Sequence, residues 1–300
     1  MHCPTCDGIP SSSYGEHEMA EYVKSIYSSE VKQNYRIDGR ELDIYLPEKN
    51  LGIEFDGVYW HSELVGKTKY NLIEKTNFFK ERGITVLHFF DVEWHDSNEI
   101  VKSMLECKVG AITNKIYARD TRVIELKNHE KTSFLLANHI QGDDRSNIAY
   151  GLKHNDQLVA IMTFGIRSLG RKCKFELIRF CPLLHTSVIG GASKLLSYFK
   201  NNYTGNADTL TTYANLRYST GNLYEKLGFT CIGTSKPDYY YFRSTGPLYH
   251  RFSFQKHLLK DKLKVFDPKL TEWENMAANG WNRIFDCGNL VYQMPLNTIK

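Results

Sequence analysis

Long apolar runs are missing from this chain. The stretch at residues 84–90 is among the longest, and polar residues interrupt it. It is far too short to cross a bilayer, so no membrane partner is expected. No secretory apolar region follows Met1, and the expected location is the cytoplasm. A dominant charge is missing too. Lys and Arg total 38 against 34 Asp and Glu, a net charge of +4. That mild basic balance is compatible with a polyanion without pointing to one. Cysteine is sparse: seven, scattered over 300 residues. This excludes a disulfide framework and suits free thiols in a reducing compartment. Cys3 and Cys6 make half of a zinc site, but a structural site needs four ligands. The next cysteine is Cys107, so zinc is not expected.

What is present suits a soluble α/β protein. Three hundred residues suggest two domains, and 42% hydrophobic residues suffice for packed cores. The chemistry concentrates in residues 40–63. Two strand-like runs, 41–46 and 51–56, flank the turn Pro47-Glu48-Lys49-Asn50, which predicts a hairpin. Side chains alternate faces along a strand. Ile53 and Phe55 therefore share one face, and Glu54 and Asp56 the other. If Leu46 pairs with Leu51, Asp43 stands opposite Glu54. Like charges so placed are destabilising, and loss of Asp43 is expected to relieve repulsion. Such a face needs positive charge, and a divalent cation with oxygen ligands would supply it. Gly57 ends the strand, and Tyr59-Trp60 lead to His61, the side chain suited to proton transfer near neutral pH.

Asp43, then Glu54-Phe55-Asp56-Gly57, then Tyr59-Trp60-His61 resembles the PD-(D/E)XK nuclease superfamily. The nearest branch holds the very-short-patch-repair-like endonucleases and related phage homing endonucleases. The resemblance spans residues 14–106. It implies a restriction-endonuclease-like mixed sheet with flanking helices. It also implies Mg²⁺ or Mn²⁺ held by Asp43, Glu54 and Asp56, with His61 catalytic and double-stranded DNA as substrate. Leu42 stands where the motif has Pro, and Asp56 where it has Lys. The general base is thus open between His61 and a metal-bound water. An acid on the first helix joins the metal site in these nucleases. Glu16, at the start of the apolar stripe Met19-Ala20-Val23-Ile26, is the choice here, with Glu18 second. Residues 69–82 read as a helix, and Lys75 on it is a candidate to return to the site in place of the missing Lys. Residues 84–90 read as a covered strand followed by Asp91, Glu93 and Trp94, and 98–106 as a closing helix.

The expected organisation is an arm at 1–13, a zinc-ribbon remnant by the same resemblance, a nuclease domain at 14–110, and a second α/β domain at 115–300. Residues 116–245 of that domain resemble the GNAT acyltransferase fold, in particular phage Mom-like DNA-modification proteins. Gly190-Gly191-Ala192-Ser193 at a helix start suits a phosphate, and Tyr224-Glu225-Lys226-Leu227-Gly228-Phe229 matches the acyltransferase ending. The Arg/Gln-x-x-Gly-x-Gly/Ala loop is matched only in part. Candidate DNA contacts are Arg167, Arg171, Lys172 and Lys174 in a loop, with Arg251 and Lys256 further on. The reading is a phage-type DNA endonuclease, acting in the host cytoplasm if phage-encoded. Two alternatives stand beside it. One is a DNA-modifying acyltransferase with a nuclease-like docking half, and the other is a non-catalytic DNA-binding module.

Overall fold

Leu46 pairs with Leu51, and Ile44 with Ile53, so the hairpin has the register its turn implies. In the computed structural model the described residues are 14–169, 172–202, 209–243 and 247–296, without the side chains of 167–169 and 172–174. Cys3 and Cys6 lie outside them. Two compact units emerge. The first comprises Met1–Asp96, Asn215–Ser219 and Lys236–Asn289, the second Ser97–Ala214, Thr220–Ser235 and Leu290–Lys300.

The first unit opens with helix α1 (Tyr14–Ile26) and strands β1 (Lys32–Ile37), β2 (Arg40–Leu46) and β3 (Leu51–Asp56). Helix α2 (Asn71–Lys80), strand β4 (Thr85–Phe90) and the short α3 (Asp91–Asp96) follow. The sheet order is β1-β2-β3-β4, with β3 and β4 parallel. A parallel pair needs a crossover, and α2 supplies it. Helix α1 buries Met19, Ala20 and Val23. It comes so close to β3 that a Cβ on Gly15 would stand 2.6 Å from Phe55 Cζ. Strand β1 has no counterpart in the sequence reading. Its residues, Lys-Gln-Asn-Tyr-Arg-Ile, are half-buried or exposed, and only Tyr35 and Ile37 alternate toward the core.

The second unit begins with α4 (Asn98–Val109), β5 (Asn114–Tyr117), β6 (Arg122–Glu125) and α5 (Asn128–Asn138). Next come β7 (Ile148–His154), β8 (Gln157–Leu169), β9 (Lys172–Pro182), β10 (Thr186–Ile189) and α6 (Gly191–Asn202). Strand β11 (Thr209–Asn215), α7 (Asn222–Lys226) and β12 (Thr230–Thr234) complete this run. Strands β8 and β9 extend through the region expected to be a basic loop. The chain then enters the first unit through β13 (Tyr239–Phe242), β14 (Tyr249–His250), α8 (Leu259–Lys262), α9 (Glu272–Ala278) and β15 (Asn282–Phe285). It ends in β16 (Asn289–Pro295). The seven-stranded sheet runs β12-β16-β11-β9-β8-β7-β6. Its core holds Leu152, Phe164, Phe175, Leu195, Phe199 and Leu210.

Two boundaries differ from expectation. Helix α4, expected with the nuclease half, belongs to the second unit. Residues 236–289, expected with the second domain, belong to the first. There Phe242, Ile284 and Cys287 pack with Val58, Leu72 and Phe90. Strands β15 and β16, close in sequence, belong to two different sheets. The chain is thus mixed α/β, and among the described residues no helix is long and apolar enough to cross a membrane.

Candidate functional site

Strands β2 and β3 bring three carboxylates together. Asp43 lies just beyond the Ile44–Ile53 pair that ends the ladder, where its Oδ2 accepts the Phe55 N–H at 2.8 Å. Glu54 and Asp56 are both buried on the acid face of β3. Helix α2 supplies the positive charge: Lys75 Nζ donates to Glu54 Oε2. Lys75, the helical lysine singled out in the sequence, thus lies against the acid face of β3. Strand β4 adds a residue that sequence reading passed over. His88 is the cross-strand partner of Glu54, and its Nδ1 lies 2.8 Å from Asp56 Oδ2. A detectable signal existed. A histidine inside an otherwise apolar, doubly covered strand must find polar partners.

The segment after β3 turns back at once. The His61 N–H donates to the Gly57 carbonyl at 3.0 Å, closing one helical turn. His61 Nδ1 then lies 3.3 Å from Asp56 Oδ1. The approach lacks hydrogen-bond alignment, and both atoms are buried without a partner, as is Glu54 Oε1. Asp91, noted in the sequence only as following a strand, also borders the group. It accepts the N–H of Val58 and, at 2.8 Å, that of Val92, and burial raises its pKa.

Each acid answers to different neighbours. Burial raises Asp43, with Lys75 and the Phe55 N–H working against it. Burial raises Glu54 well above the usual carboxylate range, and the charge of Asp43 adds to this. For Asp56 burial also favours the neutral form, but His88, with His61 and Lys75 adding to it, outweighs burial and the carboxyl falls to about 2. Lys75 is held charged; burial opposes this, and Glu54 and Asp43 more than offset it.

A measurable consequence concerns Glu54. Its folded-state pKa lies above its unfolded value, so it releases its proton less readily when folded. Its ionisation therefore costs stability as pH rises from the ordinary carboxylate range through the raised value. Glu54→Gln should raise the melting temperature of the metal-free protein at pH 8 and leave it unchanged near pH 4. Melting curves at the two pH values check this. A loss at pH 8 would mean that Lys75 outweighs burial.

The other residues singled out in the sequence make contacts of their own. Glu16 is half-buried in the first turn of α1, next to the Gly15–Phe55 contact. Glu18 Oε2 accepts from the Trp94 indole at 3.4 Å. Glu93 is engaged elsewhere, by Arg217 at 2.7 and 2.8 Å and by the Phe90 N–H. Arg251 is committed to Asp238 at 2.5 Å and lies over the Phe252 ring. Lys256 is exposed. Arg171 lies outside the described residues, as do the side chains of Arg167, Lys172 and Lys174. Beside His61 stands an exposed patch: Tyr59 is 44% and Trp60 59% exposed, edge to face at 4.9 Å. Leu64, Lys67, Lys69 and Tyr70, next along the chain, are exposed as well.

In the second unit, β9 and β11 pair in parallel at Phe175–Leu210 and Glu176–Thr211. The Tyr224 phenol is hydrogen-bonded to Thr212, and burial raises its pKa. Gly191 at the start of α6 serves close packing, since a Cβ there would meet Val188 Cγ1 at 2.8 Å.

No protein-family model matches the sequence, and no curated protein matches it. Solved structures similar to the chain include an IAA acetyltransferase from Bacillus cereus ATCC 14579, at 14% identity and TM-score 0.35. That match covers 58% of this chain and 99% of the other. A Bacillus subtilis acetyltransferase in complex with CoA is similar at 15% identity and TM-score 0.34, over 58% and 98%. The catalytic domain of the homing endonuclease I-Bth0305I is similar at 24% identity and TM-score 0.27, over 34% and 100%.

Proposed function

We propose that the first unit hydrolyses DNA phosphodiester bonds at the Asp43, Glu54, Asp56, His61 and Lys75 group. The observation that carries this is the acid face of β3. Three carboxylates share it with one lysine beside a histidine, and two of their buried oxygens have no partner. Structural ion pairs seldom leave buried carboxylate oxygens unsatisfied. Among the described residues, no three His, Cys, Asp or Glu side chains form a group able to hold a metal ion by themselves. Mg²⁺ does not require one. It is commonly held by one or two carboxylates together with water and substrate phosphate. Asp43 and Glu54 fit that role, and Mn²⁺ would use the same oxygens. A bound ion would supply Lewis-acid stabilisation of charge at phosphorus.

The protein's own groups do the rest. His61 takes the proton of the attacking water as the new P–O bond forms. The P–O bond to the leaving sugar oxygen breaks, and that oxygen takes a proton from solvent. Lys75, charged and within reach of the acid face, offsets phosphate charge. Tyr59 and Trp60 offer faces on which bases stack, and Lys67, Lys69 and Lys256 offer phosphate contacts. Glu16 is assigned to the same site as a residue bordering it.

Incubation with plasmid and genomic DNA, with Mg²⁺ and with chelator, tests the proposal. Mg²⁺-dependent cleavage is expected. His61→Ala should lose about 10²–10⁴ in rate, the usual worth of general-base assistance. Its DNA affinity in Ca²⁺ and its melting temperature should stay near wild type. A destabilised variant that still cleaves normally at low temperature would make His61 a packing residue.

A further inference from the structure

Asp56 lies between two imidazoles, and only one of them grips it. His88 is wholly buried, with Nδ1 on Asp56 Oδ2 at 2.8 Å and Nε2 on Thr76 Oγ1 at 2.9 Å. Thr76 is in turn anchored to the Leu72 carbonyl at 3.0 Å. The backbone of His88 is held as well, its N–H donating to the Arg217 carbonyl at 2.7 Å. The imidazole is thus fixed at both ring nitrogens and at the main chain. The second oxygen of Asp56 faces His61 Nδ1 at 3.3 Å, and each of these two buried atoms lacks any other partner.

We infer that His88 is a positioning residue, holding the Asp56 carboxylate so that its free oxygen keeps the His61 proton on Nδ1 and leaves Nε2 bare. A carboxylate charge 3.3 Å from one ring nitrogen draws the imidazole proton to that nitrogen, even where the contact falls short of hydrogen-bond alignment. A bare Nε2 is what a base acting on water requires, so the inference rests on the proposed role of His61. It also gives Asp56 a different task from the metal ligation expected of it. Both of its oxygens are turned to histidines, while Asp43 and Glu54 remain for a cation. The relation resembles an orienting acid behind a catalytic histidine, with a second histidine steadying the acid.

Two substitutions divide the two ends of the His88 ring. Asn places an amide N–H where Nδ1 stood, so His88→Asn keeps a donor for Asp56 and loses the Thr76 contact. Gln reaches further, so His88→Gln keeps a partner for Thr76 and loses the donor to Asp56. Each gives up one buried hydrogen bond, and their melting temperatures should be similar. The ¹⁵N shifts of His61 in the full chain at pH 8, assigned against His61→Ala, report its tautomer. Wild type and His88→Asn should show the proton on Nδ1, and His88→Gln should shift it toward Nε2. Cleavage by His88→Gln should fall about 10–100-fold, the usual cost of losing an outer-shell partner. Its DNA affinity in Ca²⁺ should be unchanged, and His88→Asn should stay within a few-fold of wild type. An unchanged His61 tautomer in His88→Gln, or rates that merely follow melting temperatures, would overturn the inference. If wild type cleaves no DNA, the hydrolase reading fails, and the tautomer shift still decides the role of His88.

Discussion

Asp43→Asn should lose about 10³ in Mg²⁺-dependent cleavage while its melting temperature stays near wild type. The Asp43 carboxylate does two things that this substitution separates. Its Oδ2 accepts the Phe55 N–H at 2.8 Å, closing the hairpin where the ladder stops. Its charge faces Glu54 and raises the pKa of that buried acid. Asn can still accept from Phe55 but carries no charge for a cation. Lewis-acid stabilisation is worth several kcal/mol, and each 1.36 kcal/mol is tenfold in rate, hence the factor of about 10³. Asp43→Ala should lose the same activity and stability as well. It leaves the buried Phe55 N–H without an acceptor, at a cost of about 1–3 kcal/mol. Repulsion alone predicts that removing Asp43 stabilises the protein. The hydrogen bond to Phe55 reverses that sign for Ala. Plasmid cleavage and melting curves on the two variants check both parts, and cleavage by Asp43→Asn at the wild-type rate would remove Asp43 from the site.

The part of the site carried by local periodicity was legible in the sequence. Alternation placed Glu54 and Asp56 on one face, and the four-residue turn set the register that brings Asp43 up to them. Lys75 came only from the resemblance, and the crossover of α2 between parallel β3 and β4 carries it over the acid face. Like-charge repulsion was read as a demand for a cation. The fold meets part of it with Lys75 and the Phe55 N–H, and His88 engages Asp56. His88 was masked by its apolar neighbours, which made residues 84–90 read simply as core. Strand β1 was masked for the opposite reason, having only Tyr35 and Ile37 to mark its buried face.

Long-range structure was not legible. The sequence says nothing of Asn215–Ser219 lying along β4, or of residues 236–289 completing the first core. Those contacts join residues more than 120 positions apart, and no local pattern encodes such a partner. Arg251 and Lys256 were read as DNA contacts in the segment from β13 onward. Much of it is instead committed internally: Tyr241, Phe254, Leu259 and Met276 form a core cluster, and Arg251 pairs with Asp238.

Glu93→Ala should destabilise the first unit by about 3–5 kcal/mol, the usual cost of breaking a buried ion pair from one side. Arg217 is only 1% exposed and binds both Glu93 oxygens, at 2.7 and 2.8 Å. Its guanidinium lies 4.1 Å from the centre of the Phe90 ring. Burial opposes the charge of Arg217, and Glu93 more than offsets it, leaving the arginine pKa well above its ordinary value. Arginine cannot shed its proton in a protein, so the charge persists when Glu93 is gone. The same carboxylate accepts the Phe90 N–H at 2.9 Å, and Ala leaves that donor open too. The sequence showed Glu93 only as an acid at the end of a strand, and its geometry makes it the counterion of a residue 124 positions later. Denaturant unfolding of Glu93→Ala, Arg217→Met and the double variant measures the coupling. The double variant should lose less than the sum of the singles, since it buries no unpaired charge. A loss below about 1 kcal/mol in Glu93→Ala, the range of solvent-exposed pairs, would show that water screens this one.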